Sequence, residues 1–310
     1  MRTRIPPHEN PRPYVVSLLL TVAVIAFSGC HPGNAEAKAL RRSCEEGDFA
    51  ACNQLAVKLQ KGEYTLRDDT RAAALFEKAC ARGVGDGCAS LGVVYQRGTG
   101  VKRDSARALS LFRQGCDRGA MDGCARLGVL YRRGAGVTQD VARAAALFRQ
   151  ACDGGNMSGC ANLGTLYAAG EGVTQDVTQA ADLLQRSCTA KVAVGCLGLG
   201  RLHATGSGVV QNDSSAAALF EQACDGREID ACVARAALYE AGRGVPQDYQ
   251  QAAELYREAC EDRHGEACAR LAGMYDRGAG VWRQPVRATE FRKRACEYGY
   301  TDACEKPKAA

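Results

Sequence analysis

The sequence predicts an all-α solenoid of seven 36-residue helix hairpins. Three observations carry that reading. First, 16 of the 17 cysteines fall in pairs at 44/52, 80/88, 116/124, 152/160, 188/196, 224/232, 260/268 and 296/304. Every pair is eight residues apart and recurs after 36 residues without insertion, so the 252 residues from Cys52 to Ala303 make seven periods. A strict period of this size marks stacked supersecondary units that bury a continuous core only together. Second, Gly62, Gly98, Gly134, Gly170, Gly206, Gly242 and Gly278 share one position of the period, and Ala72, Ala108, Ala144, Ala180, Ala216, Ala252 and Ala288 another. Third, aromatics are only 6% of the chain and alanine is plentiful, which favours close helix packing over a β-sandwich.

One period, Cys124 to Gly159, shows each element. Leu127, Leu130 and Tyr131 lie on one helical face and predict a helix A of about twelve residues. Gly134 and Gly136 end it, the first as the positive-φ residue of a helix C-terminus. After a five-residue turn, Asp140 stands where an N-cap belongs. Ala144, Leu147, Phe148 and Ala151 then make the inner face of a helix B, with the alanine where two backbones approach closely. Ala35 to Cys44 reads as a lone helix B within an N-terminal cap spanning 35–51, followed by repeats over 52–303 and a tail over 304–310. Arg292 replaces the apolar residue of the ladder Phe76, Phe112, Phe148, Leu184, Phe220 and Tyr256, as expected of a polar outer cap.

The LG-x-x-Y segment, the G-x-G-V turn, the aspartate before helix B and the A-x-x-L-F run resemble the Sel1-like repeat, a relative of the tetratricopeptide repeat. With a cysteine pair in each repeat, the chain is similar to the bacterial Hcp-type cysteine-rich proteins. That resemblance implies penicillin binding or β-lactamase activity. The residues add no support for it. There is no S-x-x-K, S-D-N or K-T-G, no serine with an evident histidine base, and Ser207 sits inside a G-x-G turn.

The cysteine spacing argues against metal. Zinc sites place cysteines two to four residues apart, and the chain has only four histidines and no CxxC. Disulfides fit if the chain reverses. In one helix, residues eight apart would be about 12 Å apart, beyond the roughly 7 Å a disulfide spans. Cys152 closes a helix B and Cys160 opens the next helix A, so Cys44–Cys52, Cys80–Cys88, Cys116–Cys124, Cys152–Cys160, Cys188–Cys196, Cys224–Cys232, Cys260–Cys268 and Cys296–Cys304 are expected to staple successive hairpins. This usage asks for an oxidising compartment. No cofactor or metal is expected.

The N-terminus supports export. Arg2, Arg4 and Arg12 precede an uncharged run from Tyr14 to Phe27, too short for a membrane span and suited to a signal over 1–29. Ala26-Phe27-Ser28-Gly29-Cys30 resembles a lipobox, with Cys30 the acylated first mature residue and 30–34 a short linker. His31 rather than aspartate after that cysteine implies an outer-membrane lipoprotein, facing the periplasm or the exterior and held to the membrane only by its lipid.

Formal charge is +5 for 310 residues, too weak to argue for nucleic acid. The charge pattern is more informative. In tetratricopeptide-like arrays helix A lines the groove, and positions two, five and nine after each helix-A cysteine share one face away from the core. Those 21 positions hold Lys61, Arg97, Arg126, Arg133, Arg201, Arg270 and Arg277, and no acid. They predict a groove for an acidic protein or peptide, or for an anionic cell-wall ligand. Two positions break the core ladders. His203 replaces tyrosine and Arg235 replaces leucine on one helical face of neighbouring hairpins, which would place a polar pocket between repeats 5 and 6.

Overall fold

The computed structural model describes residues 32–63 and 66–304; the expected signal and Cys30 lie outside them. Among the described residues the only regular structure is helical. A single helix, α1 (Pro32–Glu45), is followed by seven hairpins, each a helix A and then a helix B. They are α2 (Phe49–Lys61) with α3 (Asp69–Ala81), α4 (Gly85–Arg97) with α5 (Ser105–Asp117), and α6 (Met121–Arg133) with α7 (Val141–Asp153). There follow α8 (Met157–Ala169) with α9 (Val177–Thr189), α10 (Ala193–Thr205) with α11 (Asp213–Asp225), α12 (Ile229–Ala241) with α13 (Tyr249–Glu261), and α14 (Gly265–Arg277) with α15 (Pro285–Glu297). A 3-10 turn, Thr301–Ala303, ends the described chain. Helix α1 takes in residues 32–34, read from sequence as linker, and residues 49–51, read as part of the cap, open the first hairpin. None of the helices is long and apolar enough to cross a membrane.

The local chemistry sets each boundary. Every helix A from α2 to α14 ends on a glycine in the left-handed region, with φ of +65 to +74°. Every helix B from α3 to α13 starts on Asp68, Asp104, Asp140, Asp176, Asn212 or Asp248, whose side chain accepts a backbone N–H of the first turn. In α15 that cap is replaced by Gln284 and a proline at the first helical position. Between Gly134 and Asp140 lie the five residues expected of the turn.

The hairpins close over helix B's large side chain. Phe76, Phe112, Phe148, Leu184, Phe220 and Tyr256 are all buried, as is every alanine of the Ala72–Ala288 ladder. The glycine of the LG pair makes room for them. A Cβ on Gly92, Gly128 or Gly200 would lie 2.6 Å from the ring of Phe112, Phe148 or Phe220. In the last helix only Ala288 and Ala295 are buried, and Arg292 is ion-paired with Asp276. The solenoid thus ends on a polar face.

All eight cysteine pairs are local disulfides with Cα–Cα distances of 4.5 to 4.9 Å. The first seven lie where a helix B hands over to the next helix A, after a three-residue reversal such as 154–156, and the eighth joins α15 to Cys304 just past the closing 3-10 turn. From α2 to α10, successive A helices touch one another, whereas successive B helices do not pack to that extent. Helix A therefore forms the inner layer of the superhelix and helix B the outer.

Candidate functional site

The inner layer opens into a groove of about 470 Å³ across α6, α8, α10 and the start of α12. Its floor is apolar, with Leu184, Leu197, Leu202 and Ala168. Gly198 keeps it open, because a Cβ there would sit 2.6 Å from Leu184 Cδ2. Asn162 and Thr165 line the middle, and Arg132, Arg133, Arg201, Glu228 and Asp230 form the polar rim. Gly198, Arg201, Asn162, Thr165, Ala169 and Arg133 are all positions two, five or nine after a helix-A cysteine, so that register does face the groove.

The two rims differ electrostatically. Arg133 is exposed and makes no ion pair with any described residue. Arg201 is 3.3 Å from Asp230, whose other oxygen is 3.2 Å from His264 Nε2. His264 Nδ1 accepts the Ala267 N–H, which leaves its ring proton on Nε2 toward Asp230. Glu228 starts α12 without making a cap bond; burial, and then Asp230 beside it, push its carboxyl above the usual range, with Arg201 opposing. A second depression, about 240 Å³, shares Arg201 and Asp230 and continues past Ala234, Ala237 and Tyr256 to Glu266. Tyr256 OH donates to Glu240, and burial followed by the Glu240 charge pushes its phenol upward.

The basic stripe is largely compensated. Lys61 pairs with Glu63, Arg126 with Asp122, Arg201 with Asp230, Arg270 with Glu266 and Arg277 with Glu240. Several of these acids sit two residues before the helix-A cysteine, outside the positions that held only bases. Arg97 and Arg133 stay exposed with no ion pair among the described residues. Two outer-layer arginines are also engaged. Arg143 lies 4.5 Å from the Tyr131 ring centre and Arg149 donates to Tyr167 OH at 2.6 Å. The same guanidinium-on-tyrosine contact occurs for Arg107 on Tyr95 and Arg287 on Tyr275, a fixed offset of twelve residues that the period makes visible.

His203 and Arg235 each meet a partner of their own. His203 Nδ1 meets the Val210 carbonyl at 3.2 Å within its own hairpin. Arg235 reaches out to Glu221 at 2.6 Å and over the Tyr239 ring. Each is satisfied locally, because a half-buried polar group is stable only with a partner. Hydrolytic chemistry finds no support in the groove hydroxyl either: Thr165 donates to the Ala161 carbonyl, and Ser207 accepts from Thr205. Among the described residues no group of three metal-ligating side chains comes together.

Known proteins share this architecture. The Sel1 repeat family model matches seven consecutive segments, 49–84, 85–119, 122–156, 158–192, 193–227, 229–264 and 265–300, which follow the seven hairpins. The crystal structure of c5321, described as a protective antigen of uropathogenic Escherichia coli with an SLR fold, is 28% identical with a TM-score of 0.60. It matches over 86% of this chain and 57% of its own, so the chain spans little more than half that relative's length. A Sel1 repeat protein from Oxalobacter formigenes is 24% identical, with a TM-score of 0.60, over 87% of this chain and 79% of its own. Helicobacter pylori cysteine-rich protein B is 26% identical over 43% of this chain and 95% of its own, with a TM-score of 0.36. No sequence among the curated proteins matches the chain.

Proposed function

The chain belongs to the Sel1 repeat family, and from that premise we propose that it is an exported scaffold that grips an extended, acidic segment of a partner protein in its inner groove. The observation that carries this reading is the groove itself, an apolar floor between the unpaired Arg133 and the Arg201–Asp230 pair. Leucine-sized side chains suit the floor. A carboxylate suits Arg133 and competes with Asp230 for Arg201, since the guanidinium fork binds carboxylates in two-point fashion. A β-lactam hydrolase, which the Hcp-type resemblance implies, would need a nucleophile with a base beside it, whereas Thr165 donates to the Ala161 carbonyl and Ser207 meets only the Thr205 hydroxyl.

The test uses a fluorescein-labelled peptide of alternating leucine and glutamate, read by anisotropy. Arg133→Glu with Arg201→Glu is expected to weaken binding at least tenfold, because two attractive charges become repulsive. Arg71→Glu with Arg186→Glu, on the outer layer, should bind as the parent does. Raising salt from 0.05 to 0.5 M should weaken the parent, since the screening length falls below about 10 Å above 0.1 M. Both melts should stay within a few degrees, as exposed charges contribute about 0–1 kcal/mol each. Equal loss in the two double variants would refute the groove. Displacement of the peptide by soluble anionic glycan strands of the cell wall, but not by acidic proteins, would reassign it to that ligand.

Sixteen paired cysteines suit an oxidising, exported location. Within it, we place the chain at a membrane through a lipid on Cys30. Cys30→Ala is expected to move the protein from the membrane to the soluble fraction, or to leave it as the longer precursor, and to abolish palmitate labelling. Unchanged fractionation and mass would overturn the anchor.

A further inference from the structure

We propose that the Cys224–Cys232 disulfide, at the junction between α11 and α12, is a site of thiol–disulfide exchange, unlike the other six junctions that precede a helix A. At those six, all twelve cysteines are at most 5% exposed. Cys224 and Cys232 are both half-buried, and both line a depression of about 690 Å³ together with Asp225, Arg227, Glu258 and Asp262. This depression lies on the junction side, away from the peptide groove.

The register of the repeat explains the opening. At three other junctions a side chain that follows in the next repeat donates to the carbonyl of the first cysteine. Lys78 Nζ donates to the Cys44 carbonyl at 3.2 Å, and Gln222 Nε2 to that of Cys188 at 3.4 Å. At Cys116 the residue in that register is Gln150, whose Oε1 lies 3.8 Å from Cys116 Sγ. Arg118 Nη1 donates to the Cys80 carbonyl at 2.7 Å and reaches Cys88 Sγ at 2.9 Å. At Cys224 the corresponding positions are Glu258, in register with Lys78, Gln150 and Gln222, and Asp262, in register with Arg118. A carboxylate has no proton to give a carbonyl. The donor that closes those three junctions is therefore replaced here by acids, and both cysteines are left half-buried.

Exchange needs direct access to a sulfur along the S–S axis. An external thiolate attacks one sulfur of Cys224–Cys232, forming a mixed disulfide and breaking the original bond. The electron pair leaves on the released cysteine, which takes a proton from water. A second thiolate then attacks the mixed disulfide, so that two external thiols end as one disulfide and both cysteines as thiols. Three carboxylates against one guanidinium make the mouth acidic. The thiol it takes best is accordingly one carried beside a positive charge.

The folded, oxidised chain is exposed to limiting cysteamine at pH 8, quenched with iodoacetamide, and mapped by peptide mass. Cys224 and Cys232 are expected to be alkylated at least tenfold faster than Cys152, Cys160 or any of the other ten buried junction cysteines. At equal thiolate concentration, cysteamine should outpace anionic mercaptoethanesulfonate severalfold at this junction, and Glu258→Gln with Asp262→Asn should erase that preference. Uniform alkylation across the junctions, first alkylation at Cys80–Cys88, or no preference between the two thiols would each overturn the proposal.

Discussion

Full reduction of the disulfides is expected to unfold the array under conditions where the oxidised chain stays folded. Each staple closes a loop of nine residues and, in the chain-entropy picture, contributes about 2.5 kcal/mol by restricting the unfolded chain. Eight of them set an upper bound of about 20 kcal/mol, against a net stability of about 5–15 kcal/mol for a typical domain. Residual structure in the reduced chain lowers that bound, yet even half of it matches the whole stability. The hairpins alone have little to replace it. Their contacts are to nearest neighbours, so stability is close to a sum over units and interfaces. Urea titration followed by circular dichroism, with and without reductant, measures the loss. Replacing one buried pair, Cys152→Ser with Cys160→Ser, should lower the midpoint by the equivalent of about 2–3 kcal/mol, plus the cost of burying two hydroxyls. If the reduced chain keeps the midpoint of the oxidised one, the staples do not hold the solenoid together.

The same repetition decides how much was legible in the sequence. Anything that repeats at one position could be read, because the period converts a weak local signal into seven observations. The glycine C-caps, the aspartate N-caps, the alanine ladder and the eight disulfides were all of this kind. The groove-facing register was legible too, since Asn162, Thr165, Arg133 and Arg201 stand where positions two, five and nine after each cysteine place them. Charge compensation was only partly so: Arg126–Asp122 and Arg270–Glu266 are four residues apart on one helix, whereas two other pairs join different registers of neighbouring hairpins. Arg201 finds Asp230 and Arg277 finds Glu240, 29 and 37 residues away. A stripe counted along one register shows bases alone while the acids sit beside it. His203 and Arg235 are the opposite case. They depart from a ladder, but each meets its partner within its own surroundings, Val210 and Glu221, and no shared pocket is needed to keep them there. The role of the LG glycine was also hidden, because it depends on which ring of helix B lies opposite.

At the second glycine of the G-x-G turn, substitution is expected to cost far more at Gly244 than at Gly136. Gly136 and Gly244 occupy the same position of their repeats, with φ of +75 and +71°. Backbone strain on replacing either by alanine is therefore similar, about 1 kcal/mol or a little more. Their surroundings differ. A Cβ on Gly136 meets nothing within 4 Å, whereas one on Gly244 would overlap the carbonyl carbon and oxygen of Asp213. That carbonyl belongs to the first residue of α11, in the preceding hairpin, so backbone has to move rather than a side chain turn. The contact is braced on both sides, by Ser214 Oγ donating to the Gly244 carbonyl at 3.1 Å and by Arg243 on Asp213 at 2.7 Å. Gly244→Ala is accordingly expected to cost about 2–4 kcal/mol, the strain plus 1–3 kcal/mol of overpacking, and Gly136→Ala only the strain. Because the displaced hairpin carries α12, the Arg201–Asp230 pair should loosen as well, and Gly244→Ala should weaken the acidic peptide while Gly136→Ala leaves it bound. Urea midpoints and anisotropy on the same two variants decide the matter. Equal destabilisation by both would mean that positive φ alone fixes these glycines, and that the turn does not set the spacing between hairpins.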